Sequence, residues 1–278
     1  MRMPRSALVL GGGGLTGIGW EAGILKGLAD RGVDLTAADT VVGTSAGSVI
    51  GALVTTDPLD EVYERQVEEP TGELGADYRR SMMLRLVLPM VLPGSITKKG
   101  KRIGAAALRA HPAGGHERVE VIRSRIEIDQ WPERDLRITA VNADTGEFRV
   151  FGPGDGVDIV HAVAASCAVP IVWPPVSIDD TPYIDGGMRS VTNADVARDA
   201  EDVVVVIAPL AQAFSRATRI STQLGKCRAT RKVVITPDKQ ALAAFGNNVL
   251  DASKRPGAAR EGLRQAAAVL DEVAAAWG

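Results

Sequence analysis

Cysteine, histidine and aromatic residues are all scarce in this chain of 278 residues. Its two cysteines, Cys167 and Cys227, are too few for a disulfide framework, so the sequence predicts a reducing compartment, the cytoplasm. With three histidines and neither a CxxC nor an HExxH pattern, the spacing typical of a zinc site is missing. The composition therefore excludes disulfide-rich and zinc-dependent classes of protein.

A strong charge of one sign and a long apolar run are missing as well. The 32 Lys and Arg residues nearly balance the 34 Asp and Glu residues, so we expect no nucleic-acid partner. No run approaches the ~18 apolar residues that predict a membrane-spanning helix, and residues 7–10 are too few for a signal-peptide core. Because 45% of the residues are hydrophobic, the chain can bury a large core, and we predict one domain over residues 1–278.

The apolar pattern is typical of an α/β protein with parallel strands. Short apolar runs that end in glycines predict buried strands, and longer amphipathic runs predict the helices between them. The predicted strands are 7–10, 40–42, 136–141, 148–151, 202–210 and 233–235; the predicted helices are 18–31, 46–56, 157–165 and 258–277. Strands 136–141 and 148–151 flank a hairpin turn, whereas residues 59–130 show no regular pattern.

A glycine-rich loop, residues 11–17, follows the first predicted strand. Gly12, Gly14 and Gly17 match the G-x-G-x-x-G pattern of dinucleotide-binding proteins. In those proteins the second strand ends in an acidic residue, whereas here it is followed by Thr44 and Ser45. A loop of this kind holds either a phosphate group or the oxyanion of a tetrahedral intermediate, and dinucleotide binding stays an alternative.

The segment Gly43-Thr44-Ser45-Ala46-Gly47 forms a G-x-S-x-G pattern between a predicted strand and a predicted helix. This is the context of a nucleophile elbow, in which a sharp turn presents the serine hydroxyl above the sheet. Flanking glycines avoid clashes with the neighbouring strands. The alternative is a simple tight turn with an exposed serine.

A nucleophilic serine needs a base, and the histidines are poorly placed to supply it. His111 and His116 lie in a Pro- and Gly-rich loop, His161 lies in a predicted helix, and no histidine follows in the chain. Asp185, followed by two glycines, can approach another loop closely and accept the hydroxyl proton directly. The alternative is an ordinary Asp-Gly turn.

Taken in order, the three motifs resemble the patatin-like phospholipase family. The glycine loop resembles the family's G-G-G-x-R/K-G motif, residues 43–47 its nucleophile motif and residues 185–187 its D-G-G/A motif. The segment 165–170 also resembles the stretch that precedes D-G-G in that family. The resemblance covers residues 7–193, with a weaker similarity over the strands and helix of 202–277.

The resemblance implies a three-layer α/β/α fold with a mainly parallel sheet, and a lipid acyl-hydrolase of the phospholipase A or esterase type. It implies a Ser–Asp dyad without metal or organic cofactor: Ser45 as nucleophile, Asp185 as base, the N–H groups of Gly12, Gly13 and Gly14 as oxyanion hole, and Gly17, Gly43, Gly47, Gly186 and Gly187 in support. Thr16 stands where the family usually has Arg or Lys, which makes neutral acyl esters more plausible substrates. A non-catalytic lipid-binding module is a further alternative.

The segment 82–102 combines an apolar stretch with four cations, Lys98, Lys99, Lys101 and Arg102. Flexible Met and Leu side chains beside a basic cluster predict a peripheral contact with an anionic membrane or a lid over the site. The alternative is a helix that covers the core with its cations in solvent. Pro89 and Pro93 argue against one continuous helix.

Overall fold

The computed structural model describes residues 5–69, 92–111, 116–213 and 215–278. In these ranges a single mixed sheet of eight strands forms the centre, in the order β5-β6-β3-β2-β1-β7-β8, with β4 also paired to β3. The strands are β1 (Ser6–Leu10), β2 (Thr40–Gly43), β3 (Asp135–Asn142), β4 (Phe148–Phe151), β5 (Val176–Ile178), β6 (Thr181–Asp185), β7 (Val203–Ile207) and β8 (Arg231–Ile235). Neighbours among β3, β2, β1, β7 and β8 pair in parallel, whereas the pairs that involve β4, β5 or β6 are antiparallel.

Helices cover this sheet. In the described ranges they are α1 (Gly14–Ala29), α2 (Ala46–Thr56), α3 (Leu59–Val67), α4 (Ile96–Ala110), α5 (His116–Ile126), α6 (Ile159–Ser166), α7 (Ile220–Leu224), α8 (Lys239–Phe245) and α9 (Arg255–Trp277). The α1 helix packs along α9 and also contacts α2 and α3. Every helix in the described ranges is too short or too polar to cross a lipid bilayer.

Alternate residues of the central strands supply two hydrophobic cores. Leu8 and Leu10 of β1 belong to a large core that includes residues of α1, α2 and α6, whereas Ala7 and Val9 belong to a smaller core with residues 194–197 and α7. Both sets of side chains are fully buried, as expected for a parallel strand covered on both faces. The predicted α/β fold, a mainly parallel sheet between helices, is confirmed.

The structure differs from the sequence prediction in the middle of the chain. Helices α3, α4 and α5 lie within residues 59–130, which the apolar pattern leaves irregular. Strands β5 and β6 were not predicted, and β6 carries Asp185 at its end. Residues 82–91 of the predicted lipid-contact segment lie outside the described residues.

Strand β3 connects the serine motif to the aspartate motif. Its residue Ile138 pairs with Gly43 of β2, and two residues later Ala140 pairs with Asp185 of β6. One strand therefore determines how far apart the two motifs lie.

Candidate active site

Ser45 lies in a sharp turn between β2 and α2. Its backbone has φ 54° and ψ −118°, a conformation that non-glycine residues rarely adopt. The turn is tight enough that a Cβ at Gly47 would lie 2.2 Å from the backbone oxygen of Leu10, so glycine is required there. The strand, the strained serine and the helix follow one another in a sharp turn, which we call the elbow.

The end of α6, Ser166 and Cys167, supports the backbone of Ser45. The Ser45 N–H donates to the Ser166 hydroxyl oxygen at 2.9 Å. The Ser45 carbonyl oxygen accepts from the Ser48 hydroxyl at 2.6 Å and from the Cys167 thiol at 3.3 Å. Burial raises the pKa of the Cys167 thiol, which is the setting of a small buried side chain and not of a nucleophile.

Asp185 is 3% exposed at the end of β6, close enough to Ser45 for the serine hydroxyl to act on its pKa. Its N–H donates to the Ala168 carbonyl at 3.0 Å, and its Oδ1 accepts the Gly187 N–H at 2.7 Å. Burial raises the pKa of Asp185 to about 6, while hydrogen bonding from Ser45 and Gly187 and the charge of Arg118 lower it in part. The carboxylate is therefore a stronger base than an ordinary aspartate, and it faces the serine hydroxyl.

Arg118 of α5 is the cation beside this pair, and sequence reasoning missed it. Its side chain is 7% exposed, donates from Nη2 to the Cys167 carbonyl at 3.4 Å and stacks over the Trp173 ring, 4.5 Å from the centroid. Its positive charge favours the ionised form of Asp185. No local pattern distinguishes it from the other charges of its segment.

The glycine loop lies against the elbow. A Cβ at Gly12 would be 3.5 Å from the Ser45 Cβ. The Gly12 N–H donates to the Val191 carbonyl at 2.7 Å, so it is already engaged in a backbone hydrogen bond. The N–H groups of Gly13 and Gly14, at the start of α1, have no hydrogen-bond acceptor among the described residues. Of the three predicted oxyanion donors, Gly13 and Gly14 are therefore the ones left with an uncommitted N–H.

Thr16 stands where the family pattern has Arg or Lys, and its hydrogen bonds help to fix the conformation of the glycine loop. It is fully buried, its N–H donates to the Val249 carbonyl at 3.1 Å and its hydroxyl contacts the Gly13 carbonyl oxygen at 3.4 Å. The threonine thus connects the glycine loop by a hydrogen bond to Val249, which lies between α8 and α9. No positive charge enters the site at this position.

The three histidines lie in other surroundings. The Nε2 atom of His111 is 3.0 Å from the Ile171 carbonyl oxygen, the Nδ1 atom of His161 is 2.6 Å from Asp158, and His116 is exposed at the start of α5. His116 begins a helix that the sequence did not predict and is exposed, whereas His111 follows the end of α4 and is half-buried. Among the described residues, no group of His, Cys, Asp or Glu is arranged to hold a metal ion.

A strained serine between a strand and a helix, a buried aspartate at the end of β6 and a glycine loop at a helix start lie together in this α/β protein. The family model for patatin-like phospholipases matches residues 8–198. The chain belongs to the patatin-like phospholipase family.

Two relatives illustrate the range of this similarity. The lysophospholipase NTE1 of Phaeosphaeria nodorum is 26% identical over 201 residues, 72% of this chain and 12% of that protein. An uncharacterized NTE family protein of Mycobacterium tuberculosis is 31% identical over 189 residues, 66% of this chain and 43% of that protein. The chain therefore spans less than half the length of these curated relatives.

Two solved structures are also similar to this chain. VipD from Legionella pneumophila has a TM-score of 0.45 at 14% identity, covering 96% of this chain and 67% of VipD. The type III effector protein ExoU, from Pseudomonas aeruginosa, has a TM-score of 0.42 at 14% identity, covering 98% of this chain and 53% of ExoU.

Proposed function

We propose that this protein hydrolyses the fatty-acyl ester of a lipid through an acyl-enzyme formed on Ser45, with Asp185 as the base. The observation that carries the proposal is the Ser45–Asp185 pair itself: a strained serine faces a buried carboxylate whose pKa is raised to about 6. At pH 7 such a carboxylate is mostly ionised, and it accepts a proton more readily than an exposed aspartate. Membership of the patatin-like phospholipase family supports the same chemistry.

Acylation begins when the Ser45 hydroxyl oxygen attacks the ester carbonyl carbon and passes its proton to Asp185. The carbonyl oxygen becomes an oxyanion, which the N–H groups of Gly13 and Gly14 stabilise beside the start of α1. The tetrahedral intermediate then expels the alcohol, which takes the proton from Asp185. The acyl group is left as an ester on Ser45.

Deacylation uses the same groups in the reverse direction. Water gives its proton to Asp185 as its oxygen attacks the acyl carbon, and the second tetrahedral intermediate collapses to the free fatty acid. The Ser45 oxygen recovers the proton. If another alcohol replaces water, the product is a new ester, so the ratio of hydrolysis to acyl transfer depends on which acceptor reaches the acyl carbon.

The substrate class that we favour is a lysophospholipid or a similar single-chain ester. The NTE1 relatives are named lysophospholipases, and this name is the support for the class. Arg118 carries the charge that acts on Asp185, but it is buried between Cys167 and Trp173. Because Thr16 brings no charge, we expect neutral short-chain esters to be cleaved as well.

A peripheral membrane contact through residues 82–102 stays part of the proposal. In the part of this region that the structure describes, the Ile103 and Ala107 side chains of α4 are buried in a small core, whereas Lys98 and Lys101 are exposed to solvent. Leu92 is 42% exposed next to them. Cosedimentation with vesicles that contain anionic lipid at low salt tests the contact; no binding by the intact chain would refute it.

The test of the catalytic proposal is covalent labelling. A fluorophosphonate probe should modify the wild-type protein at Ser45, with the adduct located by mass spectrometry. Ser45→Ala and Asp185→Asn should each lower hydrolysis of a p-nitrophenyl ester about a thousandfold or more while circular dichroism stays unchanged. An adduct on another residue, or full activity in Ser45→Ala, would refute the mechanism.

Probe labelling, combined with binding measurements, separates the alternative functions. A dinucleotide-binding protein should bind NAD(P)H measurably and resist the probe, and a non-catalytic lipid-binding module should bind vesicles without turnover. Product analysis with lysophosphatidylcholine, with and without an added alcohol acceptor, distinguishes hydrolysis from acyl transfer.

A further inference from the structure

A buried amide lies between the serine motif and the aspartate motif. Asn193 is fully buried and adopts φ 49° and ψ 38°, a left-handed conformation that asparagine tolerates better than most residues. Its Nδ2 atom is within hydrogen-bond distance of four oxygen atoms. These are Thr44 Oγ1 at 3.1 Å, Thr139 Oγ1 at 3.3 Å, Gly186 O at 3.2 Å and Ser190 O at 2.8 Å.

Two of these partners are chain neighbours of the dyad. Thr44 directly precedes Ser45, and Gly186 directly follows Asp185. The contact to Thr44 joins residues 149 positions apart in the chain. A single side chain thus reaches the backbone segments that hold the two reacting groups.

The third partner, Thr139, lies on β3 between the residues that pair with the two motifs. Its hydroxyl is 2.8 Å from the Thr44 hydroxyl and 3.3 Å from the Gly43 carbonyl oxygen. On the other side, a Cβ at Gly186 would lie 2.4 Å from the Thr139 Oγ1 atom. The polar groups are therefore packed without space for movement, and the amide is the donor that they share.

The residue type suits this position because acceptors surround its Nδ2 atom, while its Oδ1 atom accepts from Arg189 Nη1 at 2.8 Å. A carboxamide offers two N–H bonds, whereas a carboxylate has none and would face other oxygen atoms. A buried network of this kind specifies one arrangement only when its members are satisfied. Losing the donor removes one hydrogen bond from each motif, although the Gly186 carbonyl keeps the Arg189 N–H at 3.0 Å and the Thr44 hydroxyl keeps Thr139 at 2.8 Å.

We propose that Asn193 is a positioning residue, which fixes the separation of Ser45 and Asp185 by binding the segments next to both. This inference rests on the proposed Ser–Asp mechanism. Misplacement of reacting groups by about 1 Å costs on the order of a hundredfold in rate. The effect should therefore fall on kcat and on the reactivity of Ser45 and leave KM nearly unchanged.

The test compares two variants of Asn193 with a neighbour from the same network. Asn193→Gly keeps the left-handed backbone accessible and removes the amide, and Asn193→Asp keeps the shape and removes the donors. The matched control is Thr192→Val, because Thr192 is also fully buried but its hydroxyl contacts Gln223 at 3.2 Å and neither catalytic motif. For each variant we would measure kcat, KM, the rate of fluorophosphonate labelling and the melting temperature.

We expect both Asn193 variants to lower kcat and the labelling rate by about 10- to 100-fold with KM within about threefold, in folded protein. Thr192→Val should keep kcat and labelling within about twofold even where its melting temperature falls equally. Wild-type kcat in folded Asn193→Gly, or an equal loss in Thr192→Val, would overturn the proposal.

If neither Asn193 variant folds, Thr139→Val decides by the same criteria, because it removes one acceptor of the amide at similar volume. A wild-type protein that is neither labelled at Ser45 nor inactivated by Ser45→Ala would instead refute the underlying mechanism. The two failures are therefore distinguishable.

Discussion

The hydroxyl oxygen of Ser166 accepts the backbone N–H of Ser45 at 2.9 Å, across 121 positions of the chain. Ser166 is the last residue of α6 and is fully buried. The hydrogen bond therefore connects the strained turn at Ser45, which precedes α2, to the end of α6. A strained backbone persists only when its surroundings hold it in place, and Ser166 is one of the groups that hold Ser45.

Ser166→Ala should lower kcat about tenfold and destabilise the fold by about 1–2 kcal/mol, because the buried Ser45 N–H loses its acceptor. Cys167→Ala is the matched control: the Ser45 carbonyl keeps its hydrogen bonds from the Ser48 N–H and hydroxyl, so activity should fall less than twofold. Ester kinetics and urea denaturation measure both effects. Equal kinetics in the two variants would contradict this role for Ser166.

The pH dependence of kcat/KM should follow the ionisation of Asp185. Burial raises its pKa to about 6, so the base is ionised above that pH, and activity should fall tenfold per pH unit below it. The groups that face the carboxyl are Ser45, Gly187, Arg118 and the thiol of Cys167. An acidic limb near pH 4 would contradict the raised pKa.

Removing the charge of Arg118 should move this limb to higher pH. The guanidinium favours the ionised carboxylate, so Arg118→Met raises the pKa of Asp185 further, whereas Arg118→Lys preserves the charge and much of the shift. A pH–rate profile of each variant measures the effect. An acidic limb that stays at the wild-type position in Arg118→Met would show that the charge does not reach Asp185.

Substitution by alanine should destabilise the protein at Gly13 and have little effect on stability at Gly12. A Cβ at Gly13 would lie 2.4 Å from the Pro209 Cβ, whereas a Cβ at Gly12 would meet nothing closer than 3.5 Å. In urea denaturation, Gly13→Ala should lower the free energy of unfolding by about 1–3 kcal/mol and Gly12→Ala by less than about 1 kcal/mol. The Gly12 methyl group would still lie next to Ser45, so Gly12→Ala should slow ester hydrolysis in a stable protein.

Glu21 should make the protein less stable as the pH rises. It is fully buried in α1, and neither carboxyl oxygen has a hydrogen-bond partner among the described residues. Burial raises its pKa well above the ordinary value of 4.5, and the nearby Gly11 N–H, whose hydrogen bond goes to the Ile207 carbonyl at 2.9 Å, lowers it only in part. The folded state thus holds a proton that the unfolded state releases. The contribution of the protonated form is complete below pH 4.5 and is lost as the pH rises towards the folded-state pKa.

Glu21→Gln removes this proton exchange. Above pH 5 the free energy of unfolding of the wild type should fall more steeply with pH than that of Glu21→Gln, by up to about 1.4 kcal/mol per unit. Both proteins keep the contribution of Asp185, whose pKa is raised to about 6. Urea denaturation at pH 5, 6, 7 and 8 measures the two slopes. Parallel slopes would show that Glu21 is not protonated in the folded protein.

Local patterns predicted the elements near Ser45 well. The α2 helix has the bounds expected from residues 46–56, because its small apolar residues begin after Gly43-Thr44-Ser45 and end at Asp57-Pro58. The hairpin of β3 and β4 was predicted for the same kind of reason, a clear turn between two apolar runs. In these elements, local preference and tertiary packing agree.

Other elements depend on contacts that no local pattern encodes. Gly100 and Gly104 weaken the helical pattern of α4, yet a Cβ at Gly104 would lie 2.0 Å from the Ala143 carbonyl oxygen, so glycine there allows the helix to pack on β3. The short strand β6 contains Pro182 and is defined by its antiparallel pairing with β3. Arg118 bonds a partner 49 positions away, and Asn193 joins Gly186, seven positions away, to Thr44, 149 positions away.

The pairing of Gly43 and Asp185 with neighbouring positions of β3 has a consequence for changes in chain length. Along the direction of β3 the two motifs are offset by two residues of extended backbone, about 7 Å, and they lie on opposite sides of this strand, so β3 acts as a ruler for the dyad. Insertions or deletions between Pro58 and Arg134 leave that ruler intact, whereas one extra residue between Ile138 and Ala140 shifts the register and turns the following side chains to the opposite face. Relatives and engineered variants should therefore tolerate length variation before β3 and not within it.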